Sequence, residues 1–175
     1  MEFPHAVRRV DEQFLSTAPV IVTATVDLDA PPAAVFEALG SDRMWSWVPV
    51  LDRLRWLTPR PLGAGAVRVL RIGKLVEVEE EFFRWEDDRR ATFCVTSASR
   101  PALKALAEDF ALEPTTRGTR LTWTMALDPG LPGAGVLGKV LGPMLAPGNR
   151  WALGGIRKII RPVAVQDAPE AAAVA

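Results

Sequence analysis

The stretch Leu75 to Trp85, LVEVEEEFFRW, decides the fold class. Its side chains alternate between charged and apolar with the period of two that a β-strand requires. The glutamates at 77, 79 and 81 share one face, which we expect to be wet, and the residues at 76, 78 and 82 make the other face apolar. Glu80 is therefore a carboxylate placed in an apolar row, and we expect this row to cover a core or a cavity.

The preceding segment, Ala66 to Ile72, offers a partner for Glu80. A connection of three residues, 73–75, pairs apolar with apolar and charge with opposite charge: Ile72 with Val76, Leu70 with Val78, and Arg68 with Glu80. A two-residue turn would leave Glu80 facing inward alone, and an unpaired buried charge costs several kcal/mol. We therefore predict the register that sets Arg68 opposite Glu80.

Five further strands are predicted on either side of this hairpin. They are rich in β-branched and aromatic residues and are bounded by Gly, Pro and Asp turns. They span Pro19–Asp27, Leu51–Leu57, Arg90–Thr96, Leu106–Glu113 and Leu121–Leu127. Most of the connections are too short for a parallel crossover, so the pattern predicts a seven-stranded antiparallel sheet.

Two short helices are predicted between the first and second strands. One begins at Pro31-Pro32 and ends at Gly40, because proline at a helix start costs no hydrogen bond. The other is capped by Ser41 and Asp42 and ends at Pro49.

A long C-terminal helix follows Pro129, where the apolar period changes to 3.6 and continues to Arg161. It is expected to be kinked or broken at Pro143 and Pro147. A sheet with one polar face must cover its apolar face, and this helix is the element long enough to do so. We therefore predict an α+β fold in which the sheet wraps around the helix.

The domain organisation follows from these elements. Residues 1–18 are read as an N-terminal appendage packed on the domain, residues 19–161 as the domain itself, and residues 162–175 as an Ala-rich flexible tail. An interaction module that uses the appendage from Phe3 to Phe14, together with Trp45, for a partner protein is a third functional class that this organisation leaves open.

Composition excludes several classes of function. Lys and Arg total 21 against 21 Asp and Glu, so no electrostatic footprint points to nucleic acid. One His and one Cys leave little for metal sites, His-based triads or disulfides, and we expect no metal and no cofactor. No export signal and no membrane-spanning run is visible, so a cytoplasmic protein is expected, as a monomer or weak homodimer.

Gly133, Gly135 and Gly138 spell the G-x-G-x-x-G letters of a dinucleotide site. Such a site needs a parallel strand after the helix and an acidic residue about 20 residues on, and neither follows here. We interpret these glycines as allowing a close approach of the helix to the sheet.

The order of elements and several local strings resemble the START-like superfamily, and specifically its bacterial polyketide cyclase/dehydrase and lipid transport group. The matching strings are DAPPAAVF at 29–36, WVP at 47–49, GAVR at 65–68, EEFFRW at 80–85 and DRR at 88–90. The resemblance covers about Pro19 to Arg161. It implies a helix-grip (START/Bet v 1-like) fold with a cavity between the sheet and the C-terminal helix.

The plant hormone receptors of that superfamily carry a similar arginine and glutamate, which face the cavity and contact ligand through water. Carried over, these roles fall on Arg68 and Glu80, in agreement with the alternation. The receptors' acid-binding lysine has no counterpart, because the matching stretch here reads VPVL at 48–51.

The first functional hypothesis is binding of a small hydrophobic molecule, such as a lipid, polyketide or aromatic metabolite, with Arg68 and Glu80 orienting its polar end. The alternative is a cyclase/dehydrase enzyme in which Glu80 is the general base and Arg68 stabilises an enolate. A purely structural ion pair is the third interpretation of these two residues. The candidate ligand-binding residues are Arg68, Leu70, Ile72, Val78, Glu80, Phe82, Phe93, Val95, Phe110, Leu112, Trp123, Met125, Met144 and Trp151.

Overall fold

The structure, a computed structural model, describes residues 3–101 and 103–160, apart from the side chains of residues 137 and 141. The tail predicted at 162–175 therefore lies outside the described residues. The strands are β1 His5–Ala6, β2 Val20–Leu28, β3 Leu51–Trp56, β4 Val67–Ile72, β5 Val76–Glu86, β6 Arg90–Ala98, β7 Ala105–Thr115 and β8 Gly118–Asp128. The helices are α1 Phe14–Thr17, α2 Pro32–Leu39 and α3 Ala134–Gly154, and a short 3-10 helix, Gly155–Lys158, follows α3.

The long strands form one curled antiparallel sheet in the order β2-β8-β7-β6-β5-β4-β3. The predicted seven-stranded sheet and C-terminal helix are thus confirmed. In the β4–β5 hairpin Ile72 is opposite Val76 and Arg68 is opposite Glu80, as the three-residue connection predicted. Gly73 and Lys74 both have positive φ, which allows the chain to reverse within that connection.

The N-terminal segment packs on the sheet as an additional element. Its strand β1 pairs with β6 where β6 has parted from β7, and the amide of Arg8 donates to the carbonyl of Lys104. Helix α1 buries Phe14 on the convex face against Cys94, Ala107 and their neighbours. Phe3, Val7 and Phe14 of the appendage are buried, and so is Trp45, so these apolar side chains are not available to dock a partner protein.

The prediction of a second short helix before Pro49 is wrong. Residues 42–47 form consecutive turns, and Trp45 has φ of 68°, in the left-handed region that a right-handed helix cannot contain. This conformation turns the Trp45 ring inward, where it packs 5.0 Å from the Trp123 ring, centroid to centroid. The positive φ of Trp45 thus places its aromatic ring at the concave face.

Helix α3 runs unbroken through Pro143 and Pro147 and packs along the edge strand β2. Met144 and Trp151, predicted to face the ligand, are 70% and 58% exposed. The helix is anchored at its end instead, where Trp47 Nε1 donates to the carbonyl of Ala152 at 2.7 Å. Within the described part of the chain, no helix has both the length and the apolarity needed to cross a bilayer.

The glycines of α3 explain its close approach to β2. A Cβ added at Gly138 would collide with the backbone carbonyl of Pro19, whereas one added at Gly135 would meet no atom. Residue 138 must therefore be glycine for the helix to lie where it does. No strand follows α3 among the described residues, in keeping with the packing interpretation of these glycines.

We predict that Gly138→Ala lowers the free energy of unfolding by about 1–3 kcal/mol, because backbone atoms must move to admit the methyl group. Gly135→Ala is the matched control and should raise it by up to about 1 kcal/mol, since alanine is the better helix former. Urea unfolding followed by circular dichroism measures both. Equal effects of the two substitutions would contradict the close packing of α3 on β2.

Candidate functional site

Arg68 and Glu80 form a buried ion pair on the concave face of the sheet. The Arg68 Nε–H donates to Glu80 Oε2 at 2.5 Å, and the two side chains are 2% and 4% exposed. Cross-strand pairing sets both on the same face, because they are opposite one another in the β4–β5 hairpin. A charge so deeply buried requires such a partner.

Three aromatic rings enclose the guanidinium of Arg68. Its Cζ atom lies 4.7 Å from the centroid of the Phe93 ring, 5.0 Å from that of Phe82 and 5.5 Å from that of Trp56. The Nη2 atom of Arg68 is buried and has no hydrogen-bond partner among the described residues. Apart from Glu80, the guanidinium is therefore stabilised by cation–π contacts with the three rings. Arg68 is thus fixed in place by Glu80 and by the rings.

Part of the concave face is filled by a row of aromatic side chains. Successive ring centroids are 5.0 to 6.4 Å apart along Trp56, Phe82, Phe93, Phe110 and Trp123. We call these five residues the aromatic row. Arg68 is embedded in it, and Glu80 stands at its border.

Beside the aromatic row, the concave face leaves a hollow. A cavity of about 210 Å³ opens there, with walls that are apolar apart from two carboxyl groups. It is lined by Trp45, Leu51, Leu70, Ile72, Val78, Glu80, Val95, Leu103, Leu106, Glu108, Trp123 and Met125. None of the α3 residues whose side chains are described is among them. The cavity is instead closed by Trp45 and the turn of residues 42–47, which we call the Trp45 turn, where the helix was expected.

The structure brings together half of the predicted ligand-binding residues. Leu70, Ile72, Val78, Glu80, Val95, Trp123 and Met125 all line the cavity. Phe82, Phe93, Phe110 and Leu112 instead pack in the hydrophobic core, and Arg68 lies behind Glu80 rather than at the cavity wall. Met144 and Trp151 are exposed on α3 and do not reach the cavity.

Five lining residues were missed by sequence reasoning: Trp45, Leu51, Leu103, Leu106 and Glu108. For Leu106 and Glu108 a signal existed, because strand alternation puts them on the face shared by Phe110 and Leu112. The position of Trp45 depends on a positive φ in a turn, and no periodic pattern reveals it.

Glu108 is the second carboxyl of the cavity. It lies on β7 opposite Phe93 of β6 and Met125 of β8. The indole Nε1–H of Trp123 donates to Glu108 Oε2 at 2.9 Å. In the described part of the chain its other oxygen, Oε1, has no hydrogen-bond partner, and Glu108 itself lines the cavity.

The two carboxyl groups have different electrostatic surroundings. Burial raises the pKa of Glu80, and the charge and hydrogen bond of Arg68 act in the opposite direction. Burial and the nearby Glu80 raise the pKa of Glu108 to about 8, although Arg68 and the Trp123 hydrogen bond act to lower it. Near neutral pH Glu108 is therefore mostly protonated, whereas Glu80 has a cation in direct contact.

Other chemical groups contribute little near the cavity. No cluster of three or more His, Cys, Asp or Glu that could hold a metal ion occurs among residues 3–101 and 103–160. Cys94 is buried on the opposite face of the sheet, and burial raises the pKa of its thiol. A thiol with a raised pKa is a poor nucleophile at neutral pH.

We predict that Arg68→Met lowers the free energy of unfolding by about 3–5 kcal/mol, because it leaves the buried Glu80 without its cation. The double variant Arg68→Met/Glu80→Leu should recover most of this loss, since it removes both charges. The control is Arg120→Met, which breaks an exposed ion pair with Asp27 and should leave the free energy of unfolding nearly unchanged, because water screens exposed charges. Chemical denaturation decides, and a double variant less stable than Arg68→Met would contradict the ion-pair account.

The raised pKa of Glu108 also predicts a pH-dependent stability. The folded chain holds this proton up to about pH 8, whereas the unfolded chain releases it near pH 4.5, so the stabilisation is complete below pH 4.5 and is lost as the pH rises. Between pH 4.5 and about pH 8, the free energy of unfolding of the wild type should fall relative to that of Glu108→Gln by at most about 1.4 kcal/mol per pH unit. Urea unfolding at several pH values measures the difference. A parallel pH dependence of the two proteins would contradict it, and Glu113→Gln, an exposed site on the same strand, is the control.

Comparison with known proteins identifies the fold. The START superfamily protein from Mycobacterium smegmatis superposes with a TM-score of 0.64 and 15% identity, over 81% of this chain and 99% of that one. Protein TTHA0849 from Thermus thermophilus superposes with a TM-score of 0.63 and 18% identity, over 80% of this chain and 96% of the other. The fold is therefore the START-like helix-grip fold.

Sequence comparison identifies the family. The Mycobacterium tuberculosis protein named Uncharacterized protein Rv2574 is 38% identical over 119 residues, which are 67% of this chain and 71% of the relative. Residues 19–159 match the family model described as polyketide cyclase / dehydrase and lipid transport. This chain therefore belongs to the polyketide cyclase/dehydrase and lipid transport family.

Proposed function

We propose that this protein binds a small hydrophobic molecule carrying a polar group in the cavity between β3–β8 and the Trp45 turn. The observation that carries the proposal is a cavity with apolar walls and two fixed carboxyl groups. Apolar walls supply affinity through the area removed from water, and a few fixed polar groups orient the ligand. Membership of a family that includes lipid transport supports the same function.

The size of the cavity limits the part of the ligand that it encloses. A volume of about 210 Å³ lies below the roughly 300–1,000 Å³ common for small-molecule sites. Leu51, Leu103, Leu106 and Met125 are only partly buried, and Ile72 is 37% exposed. We therefore assign a body of one or two rings to the enclosed part and place any longer chain at this partly exposed rim.

The polar end of the ligand is assigned to Glu80 and Glu108. Arg68 was expected to touch the ligand, but its guanidinium is enclosed by Phe82, Phe93 and Trp56 behind the carboxylate. In this proposal Arg68 is a positioning residue, which fixes the orientation of the Glu80 carboxyl and acts against the rise in its pKa that burial causes.

A cyclase/dehydrase enzyme is the second candidate, and it is favoured by the unlike surroundings of the two carboxyl groups. Glu80 would remove a proton alpha to a carbonyl, and the protonated Glu108 would face the same substrate. Stabilisation of an enolate by direct contact with Arg68 is not supported, because Arg68 does not line the cavity. Binding remains the conclusion, since it requires only the cavity and its walls.

We predict that Met125→Trp weakens binding of 2-acetonaphthone, a two-ring ketone, by at least about tenfold, because the larger indole occupies space in the cavity. Met144→Trp is the matched control: it makes the same substitution at an exposed position of α3 and should leave binding unchanged. Isothermal titration calorimetry measures both affinities.

The reverse result would be weakened binding in Met144→Trp and unchanged binding in Met125→Trp. It would place the ligand on α3 and refute binding in the cavity. Native mass spectrometry of protein purified without detergent is an independent check, since a carried ligand should disappear in Met125→Trp and persist in Met144→Trp.

A further inference from the structure

Glu108 presents an unused polar atom to the cavity. The Trp123 indole donates to its Oε2, so that oxygen acts as the acceptor of the carboxyl group. Its Oε1 has no hydrogen-bond partner among the described residues. A carboxyl held in this way carries its proton on Oε1, where it can donate a hydrogen bond.

We propose that Glu108 selects the ligand by donating a hydrogen bond from Oε1 to an uncharged oxygen acceptor, such as a ketone, aldehyde or ester carbonyl. This inference rests on the proposed function, because it names the chemical class of molecule that the same cavity accepts. It makes Glu108 the specificity-determining residue, a role that sequence reasoning did not assign to it.

The surroundings of Glu108 keep the proton in place. The charged groups that act on it are Glu80 of β5, which lines the same cavity and favours the protonated form, and Arg68 of β4 behind Glu80, which opposes it. The other elements around the cavity present uncharged side chains, namely Val95 of β6, Trp123 and Met125 of β8, and Trp45. The pKa of about 8 that results keeps Glu108 a donor at neutral pH.

The charges of the cavity disfavour an anionic ligand. None of the lining residues named above is a cation, and the charge of Arg68 is already matched by Glu80. A ligand carboxylate would lose its water and gain no cation in exchange, which is costly. A ligand carbonyl needs one donor, and Glu108 supplies it.

A cationic amine is the rival ligand, and pH separates the two cases. A carbonyl ligand binds the protonated form of Glu108, so its affinity is constant at low pH and falls once Glu108 ionises. With a pKa of about 8, the affinity at pH 9 should be about tenfold lower than at pH 6. An amine that remains charged would instead bind more tightly as Glu108 loses its proton.

The experiment uses four naphthalene probes of one shape and the full-length protein. The probes are 2-acetonaphthone, 2-methylnaphthalene, 2-naphthoate and 2-(aminomethyl)naphthalene, and affinities are measured by calorimetry at pH 6 and pH 9. We expect 2-acetonaphthone to bind most tightly at pH 6 and to lose about tenfold at pH 9, with 2-methylnaphthalene unaffected by pH. We expect 2-naphthoate to bind weakest.

Glu108→Gln distinguishes a donor from a structural residue. The glutamine amide donates as the protonated carboxyl does, and its carbonyl still accepts from Trp123. The variant should bind 2-acetonaphthone at pH 6 within about threefold of wild type, and keep that affinity at pH 9. Glu113→Gln, an exposed glutamate on the same strand, should retain the wild-type pH profile.

The outcomes separate the two proposals. If wild type binds neither 2-acetonaphthone nor 2-methylnaphthalene, the cavity-binding function itself is refuted. If it binds both with equal affinity at both pH values, the cavity binds ligand and only the role of Glu108 is overturned. Preference for the amine or for 2-naphthoate also overturns that role, and the wild-type profile alone decides should Glu108→Gln not fold.

Discussion

The buried ion pair of Arg68 and Glu80 is the constraint on which the rest of this structure depends. Two opposite charges removed from water must stay in contact, so the β4–β5 register cannot slip without exposing one of them to an apolar environment. The rings of Phe82 and Phe93 close over the guanidinium and complete its surroundings. Glu80 is thereby held at the border between the aromatic row and the cavity.

This arrangement sets the electrostatics of the cavity. Because Arg68 is matched by Glu80, it offers no free positive charge to a second carboxylate, and Glu108 keeps its proton instead. One carboxyl of the cavity thus has a contacting cation, and the other is an uncharged hydrogen-bond donor. An apolar cavity with such a donor is suited to a neutral molecule, whether the protein carries that molecule or alters it.

The strand pattern of the sequence predicts the face and register of a residue, and it does so for Arg68 and Glu80 because a period of two admits few alternatives. It does not predict whether an inward side chain fills the interior or lines a void, so Phe93 and Val95 could not be told apart. The 3.6 period of α3 indicates an apolar stripe but does not show what the stripe packs against. The pattern therefore could not reveal that Met144 is exposed. Glu108 was missed because alternation was applied only to its apolar neighbours.

The central claim, that Glu108 is a protonated donor beside a charge-compensated Glu80, is most directly tested by a ¹³C NMR titration of the glutamate side-chain carboxyls. The account predicts one carboxyl signal with a midpoint near pH 8, which Glu108→Gln removes and Glu113→Gln leaves in place. A titration in which the Glu108 signal moves near its ordinary pH of 4.5 would contradict it.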